Sequence, residues 1–239
     1  DMSQAIADLE AERQIFEREH GPKAVAIVTG ELGIVYYYKN EFALALENYR
    51  RATSACEAIK DSRGAMIGHL NIGDVLLQQR QYEGASHELA IALGLARKKK
   101  LSKDELTAGL YLTEAHLALG RVEEAQKELE ALQPLLENTS SPCAQGNATR
   151  LQAHLFWETG RRIEAMETYE RALKLLENPD CQYELAHAQL DLAAILHEQG
   201  RSEDARQALV RAEQIFESVN NQLGQEAVAD LRQELAARQ

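Results

Sequence analysis

Residues 32–52 read Leu-Gly-Ile-Val-Tyr-Tyr-Tyr-Lys-Asn-Glu-Phe-Ala-Leu-Ala-Leu-Glu-Asn-Tyr-Arg-Arg-Ala. Two helical faces flank Lys39-Asn40-Glu41 in this stretch. Leu32, Gly33 and Tyr36 recur at helix spacing before it, and Ala45, Tyr49 and Ala52 after it. Asparagine tolerates the positive φ of a chain reversal, so the stretch predicts two antiparallel helices joined by a tight turn.

The same pattern returns every 40 residues. Ala45 is followed by Ala85, Ala125, Ala165 and Ala205. Twelve residues before each anchor stand Gly33, Gly73, Thr113, Ala153 and Ala193, all small. Four residues after it stand Tyr49, Leu89, Leu129, Tyr169 and Leu209, and three further on Ala52, Ala92, Leu132, Ala172 and Ala212. The turns fall at Asn40, Arg80, Gly120, Gly160 and Gly200. Small residues let paired helices approach closely and large ones fill the gap beside them. One hairpin cannot bury both of its faces, so neighbours must stack.

Gly120-Arg121-Val122-Glu123-Glu124-Ala125, and Leu32 to Tyr36 followed by Phe42, Ala45, Tyr49 and Ala52, resemble the signature of the tetratricopeptide repeat family. The resemblance covers roughly residues 22–219. The family's usual repeat is about 34 residues. The longer period here resembles the long-repeat branch of kinesin light chain and bacterial signal-sensing regulators. The family's proline after the second helix is missing from most repeats, Asn178-Pro179 being the nearest match. The resemblance implies an all-α, right-handed superhelical solenoid of antiparallel helix pairs, read as one array over residues 1–239. Its five full repeats would span 22–61, 62–101, 102–141, 142–181 and 182–221. Residues 1–20 would be the second helix of a truncated repeat, ended by His20-Gly21-Pro22, and 222–239 a closing helix carrying Leu223, Ala227, Leu231 and Leu235. Asp1-Met2 does not look like a natural start, so a piece of a longer protein is expected. Pro134 is expected to kink or end its helix, and Asn138 to Pro142 to form the longest loop.

Composition narrows the function classes. The chain has 239 residues and a net charge of −12, which disfavours nucleic acid and anionic membrane as direct partners. Cys56, Cys143 and Cys181 are odd in number and lack CxxC spacing, so reduced thiols and a cytoplasmic location are expected. No apolar run reaches the roughly 20 residues of a membrane span. Arg97-Lys98-Lys99-Lys100 is read as a basic helix end that complements the dipole. Gly68 and Gly73 are followed by Asp74 rather than lysine, so there is no phosphate-binding loop, and His87-Glu88 lacks the second histidine of a zinc protease. No catalytic constellation, cofactor site or metal site is readable, and an enzyme is not expected.

In the tetratricopeptide family the first helices of successive repeats line a concave groove. The resemblance places Ile27, Glu31, Ile34, Tyr37 and Tyr38 there in the first repeat, with Leu70, Asn71, Asp74, Leu77 and Gln78 in the second. The third contributes Leu110, Tyr111, Glu114 and Leu117, and the fourth Arg150, His154, Trp157 and Glu158. The fifth contributes His187, Asp191, His197 and Glu198. Acids and aromatics dominate this strip, which suits a basic or amphipathic protein or peptide. Family members that grip a chaperone C-terminal tail use paired cations and asparagine. The matching places here hold Gly30, Ile34, Asn71, Thr107 and Tyr111, which excludes that ligand. His154, His187 and His197 are weighed as a pH-responsive patch. The expected function is a non-catalytic protein- or peptide-binding module. The alternatives are the sensor arm of a signalling or transcription regulator, and a scaffold that self-associates through its exposed ends.

Overall fold

The computed structural model describes residues 2–19 and 21–237. Among them the chain is all-α, with no strand. The helices are α1 (Met2–Glu19), α2 (Pro22–Tyr38), α3 (Phe42–Ala58), α4 (Ser62–Gln78), α5 (Tyr82–Lys99) and α6 (Ser102–Ala118). They continue with α7 (Val122–Asn138), α8 (Pro142–Glu158), α9 (Arg162–Leu176), α10 (Gln182–Glu198), α11 (Ser202–Ser218) and α12 (Gln222–Ala237). Successive helices therefore begin 20 residues apart from end to end. The predicted helical-repeat solenoid is the fold.

The turns explain this metronome. Asn40, Arg80, Gly120, Gly160 and Gly200 all have positive φ, and so do Lys60, Lys100 and Asn220 between repeats. At the first turn the Asn40 amide donates to the Tyr37 carbonyl and the Glu41 amide to the Tyr36 carbonyl, each at 2.9 Å. The longer bond recurs from Gln81 to Leu76, Arg161 to Phe156 and Arg201 to Leu196. At these eight turns one left-handed residue thus satisfies the last carbonyls of the preceding helix and reverses the chain. Asp61 caps α4, accepting from the amides of Arg63 and Gly64 at 3.2 and 3.1 Å.

The anchors Ala45, Ala85, Ala125, Ala165 and Ala205 are all 0% exposed. Gly33 and Gly73 are required by close approach. A Cβ on either would come within 2.6 Å of the side chain it faces, Tyr49 and Leu89 respectively. Large residues four positions beyond the anchors thus fill the space that the small residues leave.

The chain divides into two compact units, Asp1–Leu119 and Gly120–Gln239. The first, carrying α1–α6, has its core around Tyr49, Ile72, Val75, Leu89, Leu93 and Leu112. In the second, Trp157, Tyr169 and Ile195 pack α8, α9 and α10 together. Leu209, Phe216, Val228 and Leu235 bury α12 against α10 and α11. His20, expected to help end the first helix, lies outside the described residues.

Two expectations are corrected. Pro134 neither ends nor interrupts α7, which runs on to Asn138. A proline removes one backbone donor, and here buried Leu132 and Leu136 hold the helix on either side of it. The cysteines are not all reduced. Cys143 and Cys181 form a disulfide with their Cα atoms 5.0 Å apart, leaving Cys56 as a buried free thiol. A 40-residue period lays residues about one repeat apart side by side, and these two are separated by 38. Disulfides persist mainly in oxidising compartments, so the cytoplasmic expectation loses its thiol argument. No helix among the described residues is long and apolar enough to cross a membrane.

Candidate functional site

In the first unit, α2 and α4 stand side by side over α3, and a cavity of about 410 Å³ opens between them. Tyr49, Ala52 and Cys56 of α3 form its floor. Gly30, Gly64 and Gly68 keep the walls free of side chains. The rim is aliphatic. Ile27, Ile34 and Ile67 line the cavity and remain 52%, 42% and 43% exposed. Glu31 and Asn71 add a carboxylate and a carboxamide to the same rim. At one end Lys23 pairs with Asp61 at 3.0 Å. Burial raises the pKa of the Cys56 thiol, with Asp61 adding to the effect. Cys56 therefore serves as an apolar floor residue.

Beside the cavity, the later turns of α2 and α4 carry a polar network. Gln78 Nε2 donates to Tyr37 Oη at 2.6 Å and to Asp74 Oδ1 at 3.0 Å. Tyr37 also hydrogen-bonds Asp74, and Glu114 on α6 lies close enough to repel it. Burial, with that repulsion added, pushes the Asp74 carboxyl up to about 6 against the two hydrogen bonds. Burial raises the Tyr37 phenol as well, followed by the charge of Asp74. Tyr38 is exposed and stands edge-on to Tyr37, their rings 5.5 Å apart. Tyr111 of α6 is half-buried against the core of this unit. The first unit thus gathers Glu31, Ile34 and Asn71 at the cavity, with Tyr37, Asp74, Gln78 and Glu114 in the adjoining network.

In the second unit the expected groove residues pair with one another. Arg150 is buried and donates to Asp191 at 2.7 Å and to Asn147 at 3.0 Å. The Trp157 indole is 5% exposed, donates to Glu198 at 3.1 Å, and carries the Arg162 guanidinium 3.6 Å over its ring. Trp157 is thus a packed residue with its polar atom satisfied. His154 lies 3.6 Å from Glu158 on its own helix. His187 sits between Tyr183 and Phe216, at ring distances of 4.6 and 5.2 Å. Burial, and then the charge of Arg150, lower its pKa to about 4. It is neutral at physiological pH, which removes it from the histidine patch considered above. His197 is half-buried on α10. Among the described residues no group of three His, Cys, Asp or Glu side chains could hold a metal ion.

A simple signal would have completed the cavity from sequence. Ile67 stands 40 residues after Ile27 and occupies the same place on the next first helix. Arg63 and Gly64 were missed because they belong to the opening turn of α4, outside the strip of central helix positions.

A tetratricopeptide repeat model matches residues 151–178. No curated protein matches the chain. Among solved structures, the chain is similar to aspartyl phosphate phosphatase F from Bacillus subtilis, at 16% identity and a TM-score of 0.77, over 94% of this chain and 57% of that one. It is similar to NprR in complex with its cognate peptide NprX, at 13% identity and a TM-score of 0.71, over 97% of this chain and 65% of that one. It is also similar to a putative kinesin light chain with nearly identical tetratricopeptide-like repeats from P. anserina, at 18% identity and a TM-score of 0.56, over 84% of this chain and 99% of that one. The chain thus spans about six tenths of the length of the first two. These likenesses establish the fold as that of the tetratricopeptide-like helical repeats.

Proposed function

We propose that this chain is a non-catalytic module that binds a peptide, or a peptide-like segment of a protein, in the cavity between α2 and α4. One observation carries the reading. Three isoleucines remain exposed around a cavity of about 410 Å³ on the first-helix face. Covering one such side chain stabilises a complex by about 1–2 kcal/mol. Glu31 on the rim, and the Asp74 and Glu114 carboxyls beside it, favour a ligand with cations flanking an aliphatic anchor. The capture of a peptide by NprR, on the same fold, supports the reading. The likeness to phosphatase F is one of fold, and no motif in this sequence suggests a reaction.

The test is selection from a random peptide library by the folded chain. Basic sequences with one aliphatic anchor are expected, and Ile34→Glu with Ile67→Glu should abolish their capture without loss of helicity. Selection of acidic peptides, or capture that survives both substitutions, would remove the assignment.

A second reading makes the chain the sensing arm of a larger regulator. The likeness to NprR and phosphatase F, each covered only in part, favours it. A selected peptide that alters amide exchange well away from α2 and α4 would support this reading over a plain docking module.

A further inference from the structure

The second unit contains a polar cleft that the repeat pattern does not explain. It lies between α7, α8 and α9 and encloses about 340 Å³. Gln152 lines it. The corresponding residues of the other repeats are Leu32, Ile72, Leu112 and Leu192, the first three buried in the core. Gln145 also lines the cleft, where Val25, Ala65, Glu105 and Leu185 stand elsewhere. The ordinary turn is missing at this junction. Thr139 is extended rather than followed by a left-handed residue, and Gln145 Nε2 donates to its carbonyl at 3.0 Å, closing one end of the cleft.

Thr168 gives an independent sign of a ligand. It lines the cleft and is 4% exposed, yet it has no hydrogen-bond partner among the described residues. Other helical threonines bond the carbonyl four residues back. Thr29, Thr53, Thr113 and Thr149 do so at 2.7–2.8 Å. In the first two repeats the residue at this position is partnered, Asn48 by the Leu44 carbonyl and Glu88 by His69. The Thr168 hydroxyl reaches the surface of the cleft, where a ligand oxygen can supply the partner that the protein does not.

The lining sets the ligand's chemistry. Carboxamides from Gln133, Gln145 and Gln152 and the Thr168 hydroxyl both donate and accept, while the Thr149 hydroxyl, already donating to the Gln145 carbonyl, accepts. Arg171 at the rim is the charged group of the lining, and no carboxylate opposes it. Phe156 supplies a ring whose other partner is the Arg161 guanidinium, 4.0 Å from its centroid.

We propose that this cleft binds a small polyhydroxylated carboxylate, a sugar acid in chemistry. The carboxylate meets Arg171, the hydroxyls meet the carboxamides and Thr168, and the carbon chain lies against Phe156. The site is independent of the peptide cavity, which lies in the other unit.

The test titrates the whole chain with gluconate, glucose and acetate, read by ligand-detected NMR. Saturable gluconate binding is expected, with glucose and acetate at least roughly tenfold weaker. Gln152→Leu and Thr168→Val should each weaken gluconate by a similar factor. Gln152→Leu should meanwhile raise the thermal midpoint, because it restores the repeat's apolar residue, and Thr168→Ser should retain binding. No saturable gluconate binding by the unsubstituted chain would overturn the proposal, leaving a hydrated packing gap. So would undiminished binding by both variants, or equal binding of glucose or acetate.

Discussion

Asp74 and His187 are half-buried titratable side chains whose environments move them in opposite senses. Asp74, facing Tyr37, Gln78 and Glu114, is pushed up to about 6. Its native state therefore holds a proton that the unfolded chain, titrating near the usual ~4, has already released. This group stabilises the protonated fold, and that contribution is lost as pH rises from about 4 through 6. His187, facing Arg150, Asp191, Tyr183 and Phe216, is lowered to about 4. Here the unfolded state binds the extra proton, so stability grows as pH rises from about 4 to the ordinary histidine value near 6.5. The two contributions oppose each other in the intact protein and separate in variants. Asp74→Asn should raise urea stability at pH 7 relative to pH 4.5, compared with the unsubstituted chain. His187→Phe should flatten the rise between pH 4 and 6.5. Parallel pH profiles for chain and variants would contradict both assignments. The sequence placed Asp74 on the groove strip, but not its desolvation, because burial depends on α6 coming alongside and bringing Glu114. It misjudged Trp157 in the same way. The Glu198 and Arg162 partners that satisfy it lie on other helices or beyond the next turn.

At the scale of elements, the regular turns follow from one left-handed residue every 20 positions. Among the described residues two junctions break that rule. Thr139 to Ser141 is extended, and Pro179–Cys181 forms a 3-10 turn. The disulfide begins just after the first of these and ends in the second. A covalent tie thus stands at these two junctions, where the usual reversal is absent, joining the start of α8 to the start of α10. Closing a loop of 38 residues stabilises a fold by about 4 kcal/mol in the chain-entropy account. Cys143→Ser with Cys181→Ser should lower the unfolding free energy by a comparable amount, measured by denaturant titration. Cys56→Ala, as a control, should respond to reductant as the unsubstituted chain does. Unchanged stability in the double variant would contradict the structural role. Helix positions and turns were legible because propensity, periodicity and φ requirements act within a few residues. The disulfide and the unbroken α7 were not, because both depend on contacts between neighbouring helices.

Across the whole molecule, the 40-residue recurrence made the fold readable without any structure. Ala45 and its four counterparts are fully buried, as their spacing requires. The candidate binding surface was readable in part. Ile34, Glu31 and Asn71 do line a cavity, whereas Arg150, Trp157 and Asp191 spend their polar groups on one another or on neighbouring helices. A strip of positions tells which side chains share a helix face. It does not tell which of them find partners on the adjacent helix. The net charge of −12 adds an attraction for basic ligands that salt should weaken. The measurement that tests the account most directly is hydrogen–deuterium exchange of the chain with and without a library-selected basic peptide. Protection concentrated in α2 and α4, and absent with Ile34→Glu and Ile67→Glu, is the predicted result. Unchanged exchange in α2 and α4, despite saturating peptide, would contradict the claim that this cavity is where the protein binds.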